Sequence, residues 1–298
     1  MLCLRAILFL AASLALAPPA QAWNAAGHRL VAAMAWRQMS PAAREAAAAL
    51  LARHPDYPRW TGKAGDDPAY TAFVEAATWP DDIRGDRRFH NEEEEAPTPP
   101  LPGLADTARH RSWHFADNHD DGRRAGELDR QLPRLAGVLR DRGNTAQERA
   151  YALPWLIHLV ADAHQPLHVS SRDDEGGNRV EIENPFNPRF PHPNLHTWWD
   201  DLAGPPWLRG KRLEQIAEAL LADHPAPPPG DFPAWLAESR ALARSAAYPP
   251  AAAGATPVVT ADFRDRSRAI ANRRLAAAGY RLGRLLDSLL PGVSRGTP

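Results

Sequence analysis

Residues 158–168 read HLVADAHQPLH and place three imidazoles and a carboxylate within eleven positions. On a helix, positions i and i+4 share a face. His158 and Asp162 therefore point the same way, toward whatever the apolar run at 151–157 packs against. An imidazole and a carboxylate on a buried face are costly unless they are paired or bound to a cation. A lone buried histidine is more often a satisfied core residue, but this cluster is too dense for that reading. Nitrogen and oxygen ligands without a thiolate suit zinc, with other divalent metals as alternatives. Pro166 lacks an N–H and should end or bend the helix before His168. The bend would turn His168 toward a second metal rather than the one His158 serves. The His-x-x-x-Asp spacing recurs at His196 and Asp200.

Most of the elements that must hold these residues read as helices. A period near 3.6 places a helix around Leu30, Val31 and Met34, with His28 just inside its start. Residues 40–75 read as helical, Ala-rich from 41 to 52 and broken afterwards by a Pro- and Gly-containing loop. Asp81 and Asp82 fit a helix start, since carboxylates favour the first turn, and Trp79 before them implies partial burial. Residues 85–110, with Glu92 to Glu95 and several prolines, read as an exposed loop. His114 and Asp117 follow in an aromatic stretch. Further helices are expected over 128–139, 211–224, 233–247 and 260–290. The one strand signal is the alternation of Val180 and Ile182 after a Gly176-Gly177-Asn178 turn. The expected architecture is mainly α, in a single domain.

Composition narrows the function. The formal net charge of -1 gives no basic footprint of the kind that marks duplex-binding proteins. Lys63 and Lys211 are the only lysines, a bias that reads as a base-composition effect of the genome. Residues 1–22 carry one Arg, an apolar stretch at 6–17 and then Ala20-Gln21-Ala22, the pattern of a cleaved secretory signal. The apolar stretch is too short to span a bilayer. Cys3 is the only cysteine and would leave with the signal, so metal ions and the core, not disulfides, must hold an exported chain together. Cleavage after Ala22 would expose Trp23, whose free α-amino group, with a pKa near ~8, is available to a metal at modest cost.

Six motifs in order then carry a resemblance. Trp23 with His28, Trp79-Pro-Asp-Asp-Ile-Arg84, Trp113-His-Phe-Ala-Asp117, the 158–168 run, Gly176-Gly-Asn178 and Asn194-Leu-His-Thr-Trp-Trp-Asp200 together resemble the S1/P1 nucleases. The tail segments Trp235-Leu-Ala-Glu-Ser239 and Ala278-Gly-Tyr-Arg-Leu282 fit as well. The resemblance is to a bacterial member, since eukaryotic members rely on disulfides that the mature chain lacks. It implies a signal peptide at 1–22 and a nuclease-like domain at 23–298. The implied fold is a single-domain helical bundle of the phospholipase C/P1 nuclease type, with a trinuclear zinc cleft. One zinc would take Asp81, His114, His158 and Asp162. A second would take the Trp23 amine and carbonyl, His28 and the shared Asp162. A third would take His168, His196 and Asp200. Asp81 is preferred to Asp82 because the family's Asp stands three before the Arg. His164 fits no ligand slot and reads as a core or supporting residue. Asp117 and Arg84 look like the pair that orients water and meets phosphate, while Phe115 and Asn178 resemble positions lining the base or phosphate pocket. Pro80 stands where the family often has a small residue, and the loop at 184–193 carries prolines and aromatics that would reshape the cleft.

The implied activity is hydrolysis of single-stranded DNA and RNA, and of 3′-mononucleotides, to 5′-phosphate products. Three Zn²⁺ outweigh the three aspartates that bind them, so a nearly neutral chain can attract a phosphodiester at one place. Single strands suit a deep site because their phosphates splay and their bases are free to stack on rings such as Phe115. A monomer without stable membrane association, periplasmic or secreted, is expected. One alternative, zinc-dependent phospholipase C, shares the amino-terminal Trp and the three-zinc plan but usually has Glu at the place of Asp200 and lacks the Gly-Gly-Asn run. Another, a non-catalytic exported zinc-binding protein, would need neither Asp117 nor Arg84.

Overall fold

A computed structural model describes residues 23–63, 65–119 and 121–290. The expected signal peptide lies outside the described residues. The chain begins with α1 (Ala25–Gln38), which Asn24 caps by accepting from the Ala26 N–H at 2.9 Å. It continues through α2 (Pro41–Leu51), α3 (Tyr57–Thr61), α4 (Pro68–Ala76) and α5 (Trp79–Asp82). A hairpin of β1 (Ala116–Asn118) and β2 (Arg124–Gly126) precedes α6 (Leu128–Arg140) and α7 (Ala146–Asp162). Last come α8 (Leu195–Asp200), α9 (Gly210–Asp223), α10 (Phe232–Ser245) and α11 (Ala261–Leu289). The fold is mainly α and forms one domain, as the hydrophobic spacing implies. Among the described residues no helix is long and apolar enough to cross a membrane.

Helices α1 and α7 are the core. Every residue of α7 from 150 to 162 is buried, and ten consecutive residues of α1 are buried. Helices buried all round lie inside a bundle rather than on its surface. Helix α7 starts with a capping box in which Thr145 Oγ1 accepts from the Glu148 N–H and Glu148 accepts from the Thr145 N–H. Helix α11 lies close along α1: a Cβ on Gly279 would come within 2.5 Å of Met34 Cβ, and one on Gly283 within 2.7 Å of Gln38 Cβ. Only glycine permits that approach.

Two expectations are corrected. The strand expected at Val180 and Ile182 does not form; Glu181 and Glu183 make only isolated bridges, to Asn194 and Val258. Three residues cannot propagate a ladder when their partners belong to two different loops. The hairpin forms instead at 116–126, where Asp117 pairs with Ala125 in antiparallel register. The 85–110 segment is also less exposed than its charges suggest. Phe89, His90, Asn91 and Thr107 are buried, and the His90 N–H donates to Thr107 O at 3.0 Å.

Candidate metal centre and cleft

Four helical elements and two loops bring the ligand-type residues together. His28 comes from the first turn of α1, Asp81 from α5, His114 from the 3₁₀ turn Arg111–His114, and His158 and Asp162 from the last turns of α7. His168 lies on the 3₁₀ turn Pro166–Val169, and His196 and Asp200 span α8. The helix of His158 ends at Asp162, four residues before Pro166, and the turn that follows carries His168 to His196.

Three groups of side chains have ligand atoms close enough to share an ion: His28, Asp81 and His158; His114, His158 and Asp162; and His168, His196 and Asp200. Tetrahedral zinc with bonds of about 2.0–2.1 Å places its ligand atoms about 3.3 Å apart. His158 Nε2 stands 3.0 Å from His114 Nδ1 and 3.3 Å from Asp162 Oδ2. Asp81 Oδ1 is 3.9 Å from His158 Nε2 and 4.0 Å from His114 Nδ1. In the last group, His168 Nε2 is 3.1 Å from His196 Nε2, which is 3.6 Å from Asp200 Oδ2. His28 Nε2 lies between two carboxylates, 3.5 Å from Asp162 Oδ1 and 3.9 Å from Asp81 Oδ2. Asp162 thus faces His28 through one oxygen and His114 and His158 through the other. Asp82 turns away and accepts from Thr78 Oγ1 at 3.0 Å. Trp23 is fully buried five residues before His28, with its side chain against Gly27.

The electrostatics of the cluster also fit a bound cation. Both ring nitrogens of His28, His114 Nε2, Asp81 Oδ1 and Asp162 Oδ1 are buried without a hydrogen-bond partner. Unsatisfied buried polar atoms are rare and call for an explanation. Burial is the largest cause that holds His28, His114 and His168 well below the usual imidazole range, with neighbouring cationic groups adding to it. Neutral imidazole is the ligand form. Burial opposes charge on His158 too, but Asp162 and Asp81 raise it overall. Burial also pushes Asp162 up to about 6, and pushes Asp200 well above the carboxylate range against the opposing bond from Gln165.

Each of three candidate ligand imidazoles is aimed by a backbone carbonyl. His158 Nδ1 donates to Ala77 O at 2.8 Å, His168 Nδ1 to His114 O at 2.6 Å and His196 Nδ1 to Gly176 O at 2.7 Å. Such bonds fix the tautomer and leave Nε2 for an ion. The Gly176 contact needs a tight turn: φ is +61° at Gly176 and +83° at Gly177, and a Cβ on Gly176 would fall 2.4 Å from Leu167 O. Gln165, which the sequence reading passed over, donates from Nε2 to Asp200 Oδ1 at 2.8 Å. It stands between two singled-out histidines, and that was the available signal. His164 lies away from the cleft, as its lack of a ligand slot implied.

A cavity of about 340 Å³ opens over these groups, lined by Arg84, Phe115, Asp117, His168, Asn178 and His196 among others. Arg84 Nε is 3.2 Å from Asp81 Oδ1. Asp117 is buried, accepts from the Ser170 N–H at 2.9 Å and is pushed up to about 7, chiefly by burial. Phe115 is half-buried on the cavity wall, and Asn178 Nδ2 donates to Glu175 O at 2.7 Å. Arg111, which no motif singled out, also lines the cavity.

The sequence pattern described as S1/P1 Nuclease matches residues 23–291. The chain belongs to the S1/P1 nuclease family. Arabidopsis thaliana Endonuclease 4 is 33% identical over 155 residues, which are 46% of this chain and 50% of that protein. Endonuclease 3 of the same plant is 31% identical over 156 residues, 46% of this chain and 51% of that protein. Endonuclease 2 is 45% identical over 49 residues, 16% of each chain. The chain thus matches about half the length of Endonuclease 4 and Endonuclease 3. In this S1/P1 nuclease family member, His114, His168 and His196 carry two of the three His/Asp groups to the cavity wall, beside Arg84, Phe115, Asp117 and Asn178.

Proposed function

We propose that the protein is a zinc-dependent phosphodiesterase that cleaves single-stranded DNA and RNA, and 3′-mononucleotides, leaving 5′-phosphate products. One observation carries the reading: three sets of imidazole and carboxylate atoms at ligand spacing, several of them buried without partners, two of which reach one open cavity through His114, His168 and His196. In this reading Asp81, His114, His158 and Asp162 hold one zinc ion. The Trp23 amine and carbonyl, His28 and Asp162 hold a second, and His168, His196 and Asp200 a third. Removal of residues 1–22 creates the Trp23 amine, so maturation and assembly of the centre are one event. The mature protein is a monomer, periplasmic or secreted.

When bound, the ions supply positive charge for the phosphodiester and acidify a water so that it can attack phosphorus near neutral pH. The protein's own groups do the rest. Arg84, held beside Asp81, donates to phosphoryl oxygens as charge builds in the transition state. Asp117 accepts a hydrogen bond from the attacking water and orients it. Phe115 offers a ring for base stacking, which a duplex cannot use because its bases are already stacked. Asn178 fixes the position of the base or phosphate at the cavity wall.

The test is metal content of the purified mature chain, with hydrolysis of single-stranded DNA, RNA and phosphatidylcholine assayed on the same sample. About three zinc ions per chain with cleavage of nucleic acid is expected. Cleavage of lipid alone would overturn the substrate, and fewer than two ions without any hydrolysis would overturn the reading altogether.

A further inference from the structure

The two tail segments Trp235-Leu-Ala-Glu-Ser239 and Ala278-Gly-Tyr-Arg-Leu282 supply no group to the cleft, yet both converge on the turn that ends α7. Ser239 Oγ, fully buried on α10, donates to Ala163 O at 2.6 Å. Arg274, on α11, donates from Nε to His164 O at 3.2 Å and from another nitrogen to Ser239 Oγ at 2.6 Å. Arg281, one helical stretch further, donates to His164 Nε2 at 3.0 Å. His164 Nδ1 gives its proton to Val160 O at 2.8 Å, so Nε2 is free to accept. Glu238 ties the two guanidiniums together, at 2.7 Å to each of two Arg281 nitrogens and 2.5 Å to Arg274. The Trp235 and His164 rings lie 5.5 Å apart.

The braced residues sit between ligand-type residues of different groups. Asp162 immediately precedes Ala163. Gln165 immediately follows His164, holds Asp200 through its amide nitrogen and accepts from the Leu167 N–H at 2.6 Å with its oxygen. His168 is one residue further on, and its N–H donates to Gln165 O at 3.1 Å. The turn 163–165 therefore fixes the separation of Asp162 from His168 and Asp200. A helix C-terminus leaves its last carbonyls without intrahelical partners. Cations there are favoured by the helix dipole. Two buried arginines and a hydroxyl at this end satisfy both needs from behind the centre.

We propose that Ser239, Arg274, Arg281 and Glu238 form a brace that sets the distance between the Asp162 metal group and the His168–His196–Asp200 group, and are positioning residues for metal binding. The proposal rests on the metal reading given above. Groups that orient ligands typically change metal affinity tenfold to a hundredfold when removed, as a rough guide. A purely structural contact would lower thermal stability and leave affinity alone.

The experiment challenges the zinc-loaded mature chain with graded chelator and measures ions retained, beside the melting temperature of the metal-free form. It compares the unmodified chain with Ser239→Ala and Arg274→Met. Cobalt-loaded samples report ligand geometry through their visible absorption. Ser239→Ala removes one hydroxyl and is the variant that keeps the test valid should Arg274→Met fail to fold. Expected is roughly tenfold or greater weakening of at least one ion in Ser239→Ala, with an altered cobalt spectrum. Retention within twofold of the unmodified chain and an unchanged spectrum would overturn the brace while leaving the metal reading intact. An unmodified chain that retains no ion would overturn the metal reading and the brace with it.

Discussion

His158 and His164 stand six residues apart in one segment and are both fully buried, but their surroundings differ in kind. His164 has both ring nitrogens occupied, one by Val160 O and the other by Arg281. Behind it the Glu238–Arg274–Arg281 network is nearly closed on itself. On the opposite face His158 points Nε2 at His114 Nδ1, Asp162 Oδ2 and Asp81 Oδ1, while its ring stacks on His28 at 3.7 Å. Protons alone cannot satisfy so many convergent acceptors, and several buried atoms there have no partner. Folding pairs both nitrogens of His164 on one side, although Arg281 Nε and Trp235 Nε1 behind it lack hydrogen-bond partners, and leaves the other side waiting for charge. The difference separates a group that stabilises the fold from one that the fold must carry until an ion arrives.

The comparison is most directly broken by paired substitutions. Asp162→Ala, which removes the carboxylate facing His28 as well as His114 and His158, should take hydrolysis to background. It should also remove the stabilisation that the two ions sharing Asp162 give the parent in excess zinc, leaving that of the His168–His196–Asp200 group. That gain is about 4 kcal/mol per site at a thousandfold excess over Kd, or roughly 10 °C in melting temperature. His164→Ala should act first on the fold: it should lower the melting temperature of the metal-free chain by leaving Val160 O without its imidazole donor and Arg281 with Glu238 alone, a cost of about 1–3 kcal/mol. If the two variants behave alike in metal-free melting and in metal retention, the distinction between the faces fails. Arg84→Ala should keep its zinc and lose about 10²- to 10³-fold in kcat, the cost of removing one donor to developing charge. Unchanged kcat would remove Arg84 from the reaction.

The sequence made one half of this comparison visible and hid the other. Spacing alone placed His158 and Asp162 on one face, and the repeated His-x-x-x-Asp marked α8. The helices fell where the apolar period put them. The back of the centre was not legible, because Ser239, Arg274 and Arg281 are far from residue 164 in sequence and their convergence depends on how α10 and α11 pack. Gln165 escaped because an amide between histidines has no spacing rule of its own. The hairpin at 116–126 escaped because a three-residue strand is too short for alternation to show, while Val180 and Ile182 alternate by chance of loop burial.

The contrast between faces can be sharpened at its edge, at the amino terminus. A chain beginning with Met before Trp23 has its free amine displaced by one residue. It should retain one ion fewer, and its turnover should fall roughly tenfold to a hundredfold, in the range of a weakened metal site. Full zinc content and normal turnover would remove the Trp23 amine from the centre.

The smallest effect concerns Asp117, which belongs to the unsatisfied side although it is no ligand. Its carboxyl is pushed from 3.8 to about 7, mainly by burial, despite the Ser170 N–H bond. In the unfolded chain the proton leaves near the ordinary value; in the folded chain it stays until about pH 7. The folded state therefore holds the extra proton across that window, and stability falls as pH rises through it. The penalty is absent below about pH 3.8 and complete above about pH 7. Asp117→Asn removes the titrating group and keeps its shape. In chelator-treated protein the variant should be more stable than the parent by roughly 1–3 kcal/mol at pH 8 and no different at pH 3.5. Denaturant melts at the two pH values measure this. The same variant should hydrolyse nucleic acid poorly, because it gives up the carboxylate that orients water. A variant less stable than the parent at pH 8 would show that burial does not hold the Asp117 proton, and would place this wall of the cleft with the satisfied side of the molecule.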